Sequence, residues 1–486
     1  MSGKAKRRAF ALLALMVVLS MVLSACAAPT PVVVEKEKVV EKPVIQTVVV
    51  EKEKVVEKPV VQTVVIEITP TPVPEFNWKQ RAGETITLGL SQHPWTNAIL
   101  PYIPQFEELT GIKVQYQIFA EPQLRDKMLI ALQAGSGEID LWPSLKSREG
   151  LKYFRAGYYE PLNKYLEDPN LTPPGYNLDD FGAGPLGGET FDGQIVGIPT
   201  IVEGPAIFYR KDLFEKAGIE FPKTMDDLPK AAEACMKAAP EGTYGVTLRG
   251  LPPAVAYTLG PFIRNYGCDW RDEKGNSQLS SPNCQRAIQA YVDLAKKYGP
   301  PGFVTYSYPQ SSALMASGQV CMEIESTNEI STILDPNTSQ VIGKVGVKPY
   351  PPGPGGHDVP TVLQWGNSIN AFSKHKEAAW LFMVWSTSPE MQARLQLKGI
   401  ASPRASSWQT PEWKAKLVED DPIWREWTET LQHIVEKGSG QVGPPAVEQP
   451  TVRQIVGDMI DAIYLGTMTL EEATKKADEQ LNQLEH

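Results

Sequence analysis

Between Thr85 and Trp142 the chain alternates between a two-residue and a 3.6-residue apolar period. Thr85-Ile86-Thr87-Leu88-Gly89-Leu90 reads as a short strand, and Ile99 to Leu109 carries apolar residues at helical spacing until Thr110-Gly111 closes it. Ile112 to Ile118 alternates as a half-buried strand, and Leu124 to Ala134 returns to helical spacing up to Gly135. Ile139-Asp140-Leu141-Trp142 is a buried strand, and Tyr244 to Leu248 and Val320 to Ile324 read as strands further on. A βαβαβ order predicts a mostly parallel sheet with its ligand crevice at the strand C-termini. The loops at Ser91 to Trp95 and after Asp140 then open onto one crevice.

The N-terminus follows a different rule. Lys4, Lys6, Arg7 and Arg8 precede a short apolar run, Phe10 to Leu23, which ends in Leu23-Ser24-Ala25-Cys26. That arrangement predicts a signal peptide over residues 1–25 and not a spanning helix. Leu23-Ser24-Ala25-Cys26 resembles the bacterial lipobox, which implies cleavage before Cys26, lipidation of its sulfur and attachment to the extracytoplasmic face of the cell membrane. Val32 to Thr47 and Val48 to Thr63 are a tandem repeat differing at one position, punctuated by Pro43 and Pro59 and free of aromatics. Two units bury no solenoid core, so residues 26–76 are expected to form a charged stalk, spanning on the order of 40 Å if flexible.

From about residue 77 the composition is globular, with all eleven Trp between Trp78 and Trp427. A segment this long exceeds a single core, so two lobes are expected. The chain carries 47 Lys+Arg against 57 Asp+Glu, a net charge of −10, and the leader holds four of the cations. No basic cluster remains in the mature part, which argues against nucleic acid. Four cysteines follow Cys26, and an exported chain with an even number suggests disulfides in one of three pairings. Cys268 with Cys284 is favoured, because they flank a charged, Gly-containing turn that a hairpin would close; Cys235 with Cys321 is the remainder. Zinc is disfavoured by the absence of CxxC and of nearby histidine. No metal site, cofactor or catalytic motif is expected. Gly182-Ala183-Gly184-Pro185-Leu186-Gly187 matches GxGxxG but lacks a preceding strand and reads as a loop. Asp179-Asp180 and Asp420-Asp421 read as solvated loop or cap residues.

Six segments then resemble one family in its order. Phe106-Glu107-Glu108-Leu109-Thr110-Gly111-Ile112-Lys113-Val114, Ala134 to Leu141, Phe191 to Pro199, Phe208 to Phe214 with Pro222-Lys223-Thr224, Ala316 to Met322, and Ile369 to Lys374 with Glu377 to Phe382 are similar to motifs of the family 1 extracellular solute-binding proteins, the maltose-binding-protein-like receptors of ABC importers. Cys321 stands where the family usually has Ala. The resemblance implies an α/β, two-lobed periplasmic-binding-protein-like (type II) clamp, each lobe a mixed sheet flanked by helices, with the solute between the lobes. It places an N-lobe at about 77–201 and 350–386 and a C-lobe at about 202–349 and 387–486, with crossings near Thr200–Glu203, Lys348–Gly353 and Ser386–Pro389. The implied protein is a monomer and not an enzyme; it delivers a small molecule, a carbohydrate or a polyol, to permease subunits. An exported glycoside hydrolase, needing two carboxylates about 5 to 9 Å apart, and a stalked adhesin are the alternatives.

A sugar offers apolar C–H faces to aromatic rings and hydroxyls to fixed hydrogen-bonding groups. His93 and Trp95 follow the first strand, and Ser144 and Lys146 follow Asp140-Leu141-Trp142. Glu203 matches a ligand-contacting Glu of the family by its spacing from Gly197. Arg249 and Tyr257 follow the Tyr244 strand, and Glu325 and Asn328 follow the Val320 strand. Trp365 precedes a buried strand in a loop expected to face the cleft. Trp380, Phe382 and Trp385, at helical spacing, are expected in the core, as are Trp408, Trp413, Trp424 and Trp427.

Overall fold

The alternating segments build two sheets. In the computed structural model, which describes residues 76–484 together with 47–48 and 64–65, their strands in chain order are β1 (Thr85–Ser91), β2 (Lys113–Phe119), β3 (Leu141–Ser144), β4 (Ile198–Glu203), β5 (Pro205–Arg210), β6 (Tyr244–Thr247), β7 (Val320–Ser326), β8 (Val345–Lys348) and β9 (Leu363–Ile369). A five-stranded sheet has the order β2-β1-β3-β9-β4 and a four-stranded sheet the order β6-β7-β5-β8. In the first, β1 is parallel to β2 and β3, while β9 runs antiparallel to β3 and β4. In the second, β6 is parallel to β7, and β5 is antiparallel to β7 and β8. Residues 74–486 form one compact unit that holds both sheets. In the preceding unit Thr47–Val48 pairs antiparallel with Val64–Val65; the leader, Cys26 and nearly all of the expected stalk lie outside the described residues.

Ile86, Leu88 and Leu90 of β1 are fully buried and share a core with Phe106, Trp380, Phe382 and Trp385. The expected helix Ile99–Leu109 is broken into Pro94–Ile99 and Ile103–Thr110, because Pro101 and Pro104 each lack the amide a continuous helix needs. Gly111 ends the second piece at φ 73°, and a Cβ there would meet the Ala82 methyl at 2.8 Å. The four tryptophans Trp408, Trp413, Trp424 and Trp427 pack edge and face together beside the second sheet.

The first crossing between sheets is Gly204, between β4 and β5, where a Cβ would run into the Thr361 carbonyl oxygen at 2.4 Å. The second comes later than Lys348–Gly353. After β8 the chain stays on the second half: the Tyr350 hydroxyl donates to the Thr258 carbonyl at 3.1 Å, and the Asn265 side chain holds Pro351 and Val359 at 3.3 and 2.8 Å. It crosses at 361–363, where Leu363 pairs with Glu203. The third is also later than Ser386–Pro389, because the helix Pro389–Gln396 buries Met391 and Leu395 in the first core. The chain leaves past Ala401, whose carbonyl accepts from the Val202 amide at 3.0 Å.

Cys235 and Cys321 lie with their sulfurs 2.08 Å apart, joining the helix Leu228–Ala238 to β7. By loop length alone, over a sequence separation of 86 residues, such a bond stabilises the fold by ~4.6 kcal/mol. Cys268 is paired with Cys284, which sits on the helix Pro282–Tyr298 and not on a hairpin strand. The segment between them does fold back, through an Arg271–Ser277 bridge. Gly182–Gly187, expected as a loop, enters a short helical turn, Ala183–Gly188. Asp180 is not solvated: it accepts from Arg404 at 3.3 Å and from the Ser406 amide at 2.8 Å.

Candidate functional site

A cleft lies where the carboxyl ends of the two sheets meet. Its lining includes His93, Glu121, Glu203 and Trp365 from one side, and Arg249, Tyr257, Tyr308, Ser326, Glu329 and Arg453 from the other. Each position follows from the topology. His93 follows β1, Glu121 opens the helix after β2, Glu203 ends β4, Arg249 follows β6 and Ser326 ends β7.

Trp365 is the centre of one wall. It lies inside β9, not in a loop before it, because its residue pairs with Ile201 in the ladder. Its indole Nε1–H donates to Glu203 Oε1 at 2.9 Å, the His93 ring lies 5.5 Å from its ring, and the Arg125 guanidinium 5.2 Å from it. Glu203 also accepts from the Ser326 hydroxyl and from Asn328 Nδ2 at 3.1 Å. Three neutral donors thus fix one carboxylate at the floor of the cleft. His93 caps the helix Pro94–Ile99 by accepting from the Trp95 amide at 3.2 Å. Burial, and to a smaller extent Arg249, lowers its pKa against the opposing pull of Glu203 and Glu121, so the ring is neutral at pH 7.

The other wall is ionic. Arg249 Nε reaches both oxygens of Glu325, at 2.9 and 2.8 Å, and a second nitrogen doubles the contact. The guanidinium also lies over the Tyr257 ring, 4.4 Å from its centroid, and 5.6 Å from that of Tyr308. The Tyr308 hydroxyl donates to the Gln92 carbonyl of the opposite side. Burial is the largest influence on Glu121 and raises its pKa, yet Arg125 and Arg148 together outweigh it and hold the carboxyl at about 2.

His93, Glu203, Arg249, Tyr257 and Trp365 are therefore brought together as the pattern expected. Glu325 and Asn328 stand behind them. Glu325 lies within β7, which runs on to Ser326 because Ser326 pairs with Pro205, and both its oxygens are used on Arg249. Asn328 is fully buried and divided between Glu203 and the Ala401 amide. Three expected residues are spent elsewhere. Trp95 is packed in the first core. Ser144 bonds Glu149 at 3.1 Å and Tyr159 at 2.7 Å, and Lys146 is buried on Glu189 and Ser368, each at 2.8 Å. Glu121, Tyr308, Glu329 and Arg453 were not foreseen. The crevice rule that selected the loops after β1 and β3 selects Glu121 when applied to β2.

Glu329 carries a pH dependence. Burial first, and the Glu325 carboxylate second, push its carboxyl up to about 8, with Ser312, Arg249 and Thr332 acting the other way. A carboxyl raised in the folded state keeps its proton there. Its favourable contribution is complete below the ordinary value of 4.5 and is lost as the pH climbs through about 8. Glu329→Gln mimics the protonated form, so thermal unfolding should show a melting temperature several degrees above the parent at pH 8.5 and little change at pH 4. An equal shift at both values would rule out the titration.

Among the described residues no three His, Cys, Asp or Glu side chains converge as a metal site, and no helix is long and apolar enough to cross a membrane. Comparison with known proteins agrees with this architecture. The model for bacterial extracellular solute-binding proteins matches residues 93–393. The erythritol/L-threitol-binding protein of Mycolicibacterium smegmatis is 26% identical over 341 residues, 67% of this chain and 71% of that protein. The mannitol-binding protein of Pseudomonas aeruginosa is 26% identical over 391 residues, 77% of this chain and 87% of that one. Among solved structures, an ABC transporter solute-binding protein from Agrobacterium vitis with bound D-mannitol superposes with a TM-score of 0.71 at 25% identity, over 82% of this chain and 98% of that chain. With a family match across more than half its length, the chain belongs to the bacterial extracellular solute-binding proteins.

Proposed function

We propose that this protein is the receptor of an ABC importer, held to the outer face of the membrane by a lipid on Cys26 and a stalk over residues 26–76, and that it captures a polyol or a sugar for its permease. The observation that carries the reading is the composition of the cleft. One side presents an indole and an imidazole whose neighbour, Glu203, is fixed by three neutral donors; the other presents Arg249 with two phenols. Aromatic faces suit C–H surfaces, while a fixed carboxylate and a fixed guanidinium accept from and donate to hydroxyls. A ligand that touches both walls stabilises their approach, which is the thermodynamic requirement for closure. Relatives named for erythritol, threitol and mannitol make a linear polyol the first choice of solute. His93, Glu203, Arg249, Tyr257 and Trp365 are assigned to contact it, with Glu325 and Asn328 holding Arg249 and Glu203 in place.

A thermal-shift screen over erythritol, ribitol, D-mannitol, D-glucitol and maltose tests this. At a concentration 100 times its Kd a true solute adds ~2.7 kcal/mol, read as a rise of several degrees, and is recovered unchanged after incubation. Absence of any shift across the screen would refute a polyol or sugar receptor.

A further inference from the structure

Among the described residues that line the cleft, Arg453 is a cation that the proposed site leaves without a use. It lies in the first turns of the helix Gln449–Leu465 and is 4% exposed, yet its Nε and Nη2 have no hydrogen-bond partner. Each of the other guanidiniums nearby has a carboxylate within 4 Å, although Arg148 Nε also lacks a hydrogen-bond partner. Arg125 holds Glu149 at 2.5 Å and Glu121 at 2.8 Å, Arg148 is 3.7 Å from Glu121, and Arg249 grips Glu325. Leaving a buried guanidinium unpaired is costly, so its retention at this point of the cleft asks for an explanation outside the fold.

Its position is fixed from both sides. One turn along, on the same face, Gly457 is pressed on Pro252, where a Cβ would meet the Pro252 Cα at 2.2 Å. Val452 and Val456 are fully buried in the core of the second half. At the helix start Lys152 of the first half pairs with Glu448 at 2.8 Å. Nε–H and Nη2–H are the two parallel donors on one edge of a guanidinium, the edge that meets a pair of adjacent oxygens.

We propose that Arg453 is a solute-binding residue whose Nε–Nη2 edge receives two adjacent oxygens of the bound molecule, either the carboxylate of a sugar acid or the neighbouring hydroxyls of a polyol. The inference rests on the receptor reading and adds to it a determinant on the C-terminal helix. D-gluconate and D-glucitol differ only in the oxidation state of C1, so they separate the two sources of the oxygen pair.

The test uses the full chain, its Arg453→Lys form, which keeps the charge and loses the edge, and its Arg453→Met form. The ligand-free melting temperature of Arg453→Met should stay within about 2 °C of the parent or rise, as expected when an unpaired buried charge is replaced by an apolar chain. A fall of more than about 5 °C would make Arg453 a structural residue and overturn the proposal. Titration calorimetry with D-gluconate and the screening panel should show that Arg453→Lys weakens whichever compound the parent binds by about 30-fold or more, a single charge-assisted pair. Tighter binding of D-gluconate than D-glucitol by the parent assigns the edge to a carboxylate, and the reverse assigns it to hydroxyls. Binding by Arg453→Lys within threefold of the parent would exclude the contact. If no compound binds the parent, the receptor reading fails for these solutes, while the melting temperatures still decide whether the fold needs Arg453.

Discussion

Trp365→Ala is expected to weaken solute binding by about 30-fold or more and to erase the ligand-induced rise in melting temperature. The residue is 7% exposed and does two things at once. Its ring supplies the apolar wall beside His93, and its Nε1–H orients Glu203, the carboxylate assigned to a ligand hydroxyl. Truncation removes the surface, releases the carboxylate and opens the floor of the cleft, a combination typical of residues worth 2 kcal/mol or more in binding, roughly 30-fold at the least. Trp365→Phe separates the two roles, since it keeps most of the wall and loses the donor. It should cost the ~1.5–3 kcal/mol of a hydrogen bond to a charged group, and so fall between parent and alanine variant. Titration calorimetry on the three proteins reads both steps. A full thermal shift retained by Trp365→Ala would remove the residue from the site.

The parts of this site that could be read in advance are those fixed by local period. β1 and β3 are short, apolar and followed by turns, so the pattern located the loop carrying His93, and the same reasoning brought Arg249 and Tyr257 to the end of β6. β2 shows the limit of periodicity. Tyr116 and Ile118 fall on apolar positions but are 47% and 41% exposed, because β2 is the edge strand of its sheet and lacks a neighbour on one side. The crossings failed for a related reason. Lys348–Gly353 has the Pro and Gly of a hinge, yet Asn265, far away in sequence, captures it with its side chain.

Partners across long separations were the rest of what could not be read. Lys146 follows β3 in the correct loop, but its ammonium is taken by Ser368, 222 residues on, and by Glu189; nothing near Lys146 announces either. Trp365 could be singled out as an aromatic near a buried strand, but its link to Glu203 spans 162 residues. Arg453 lies on a helix of otherwise ordinary amphipathic pattern, and only the packing of that helix against the cleft gives its charge a place.

Glu325→Ala is expected to destabilise the protein by ~3–5 kcal/mol, the usual consequence of removing one member of a buried ion pair. Glu325 is fully buried in β7 opposite Ala206, and it is the carboxylate that neutralises Arg249. Without it the guanidinium keeps its contact with Tyr257 but loses its hydrogen-bonded carboxylate, leaving only the more distant pull of Glu121. The double variant Arg249→Met/Glu325→Leu removes both charges and should regain most of that stability, since a buried pair is about as stable as apolar groups of similar volume. Binding should behave differently. If Arg249 touches the solute and Glu325 only holds it, the double variant recovers its melting temperature in the ligand-free state and still fails to respond to ligand. Denaturant unfolding and thermal shift on the parent, both single variants and the double variant give the coupling directly. Recovery of binding together with stability would show that the pair serves the fold and that the second wall of the cleft must be sought among Tyr257, Tyr308 and Arg453.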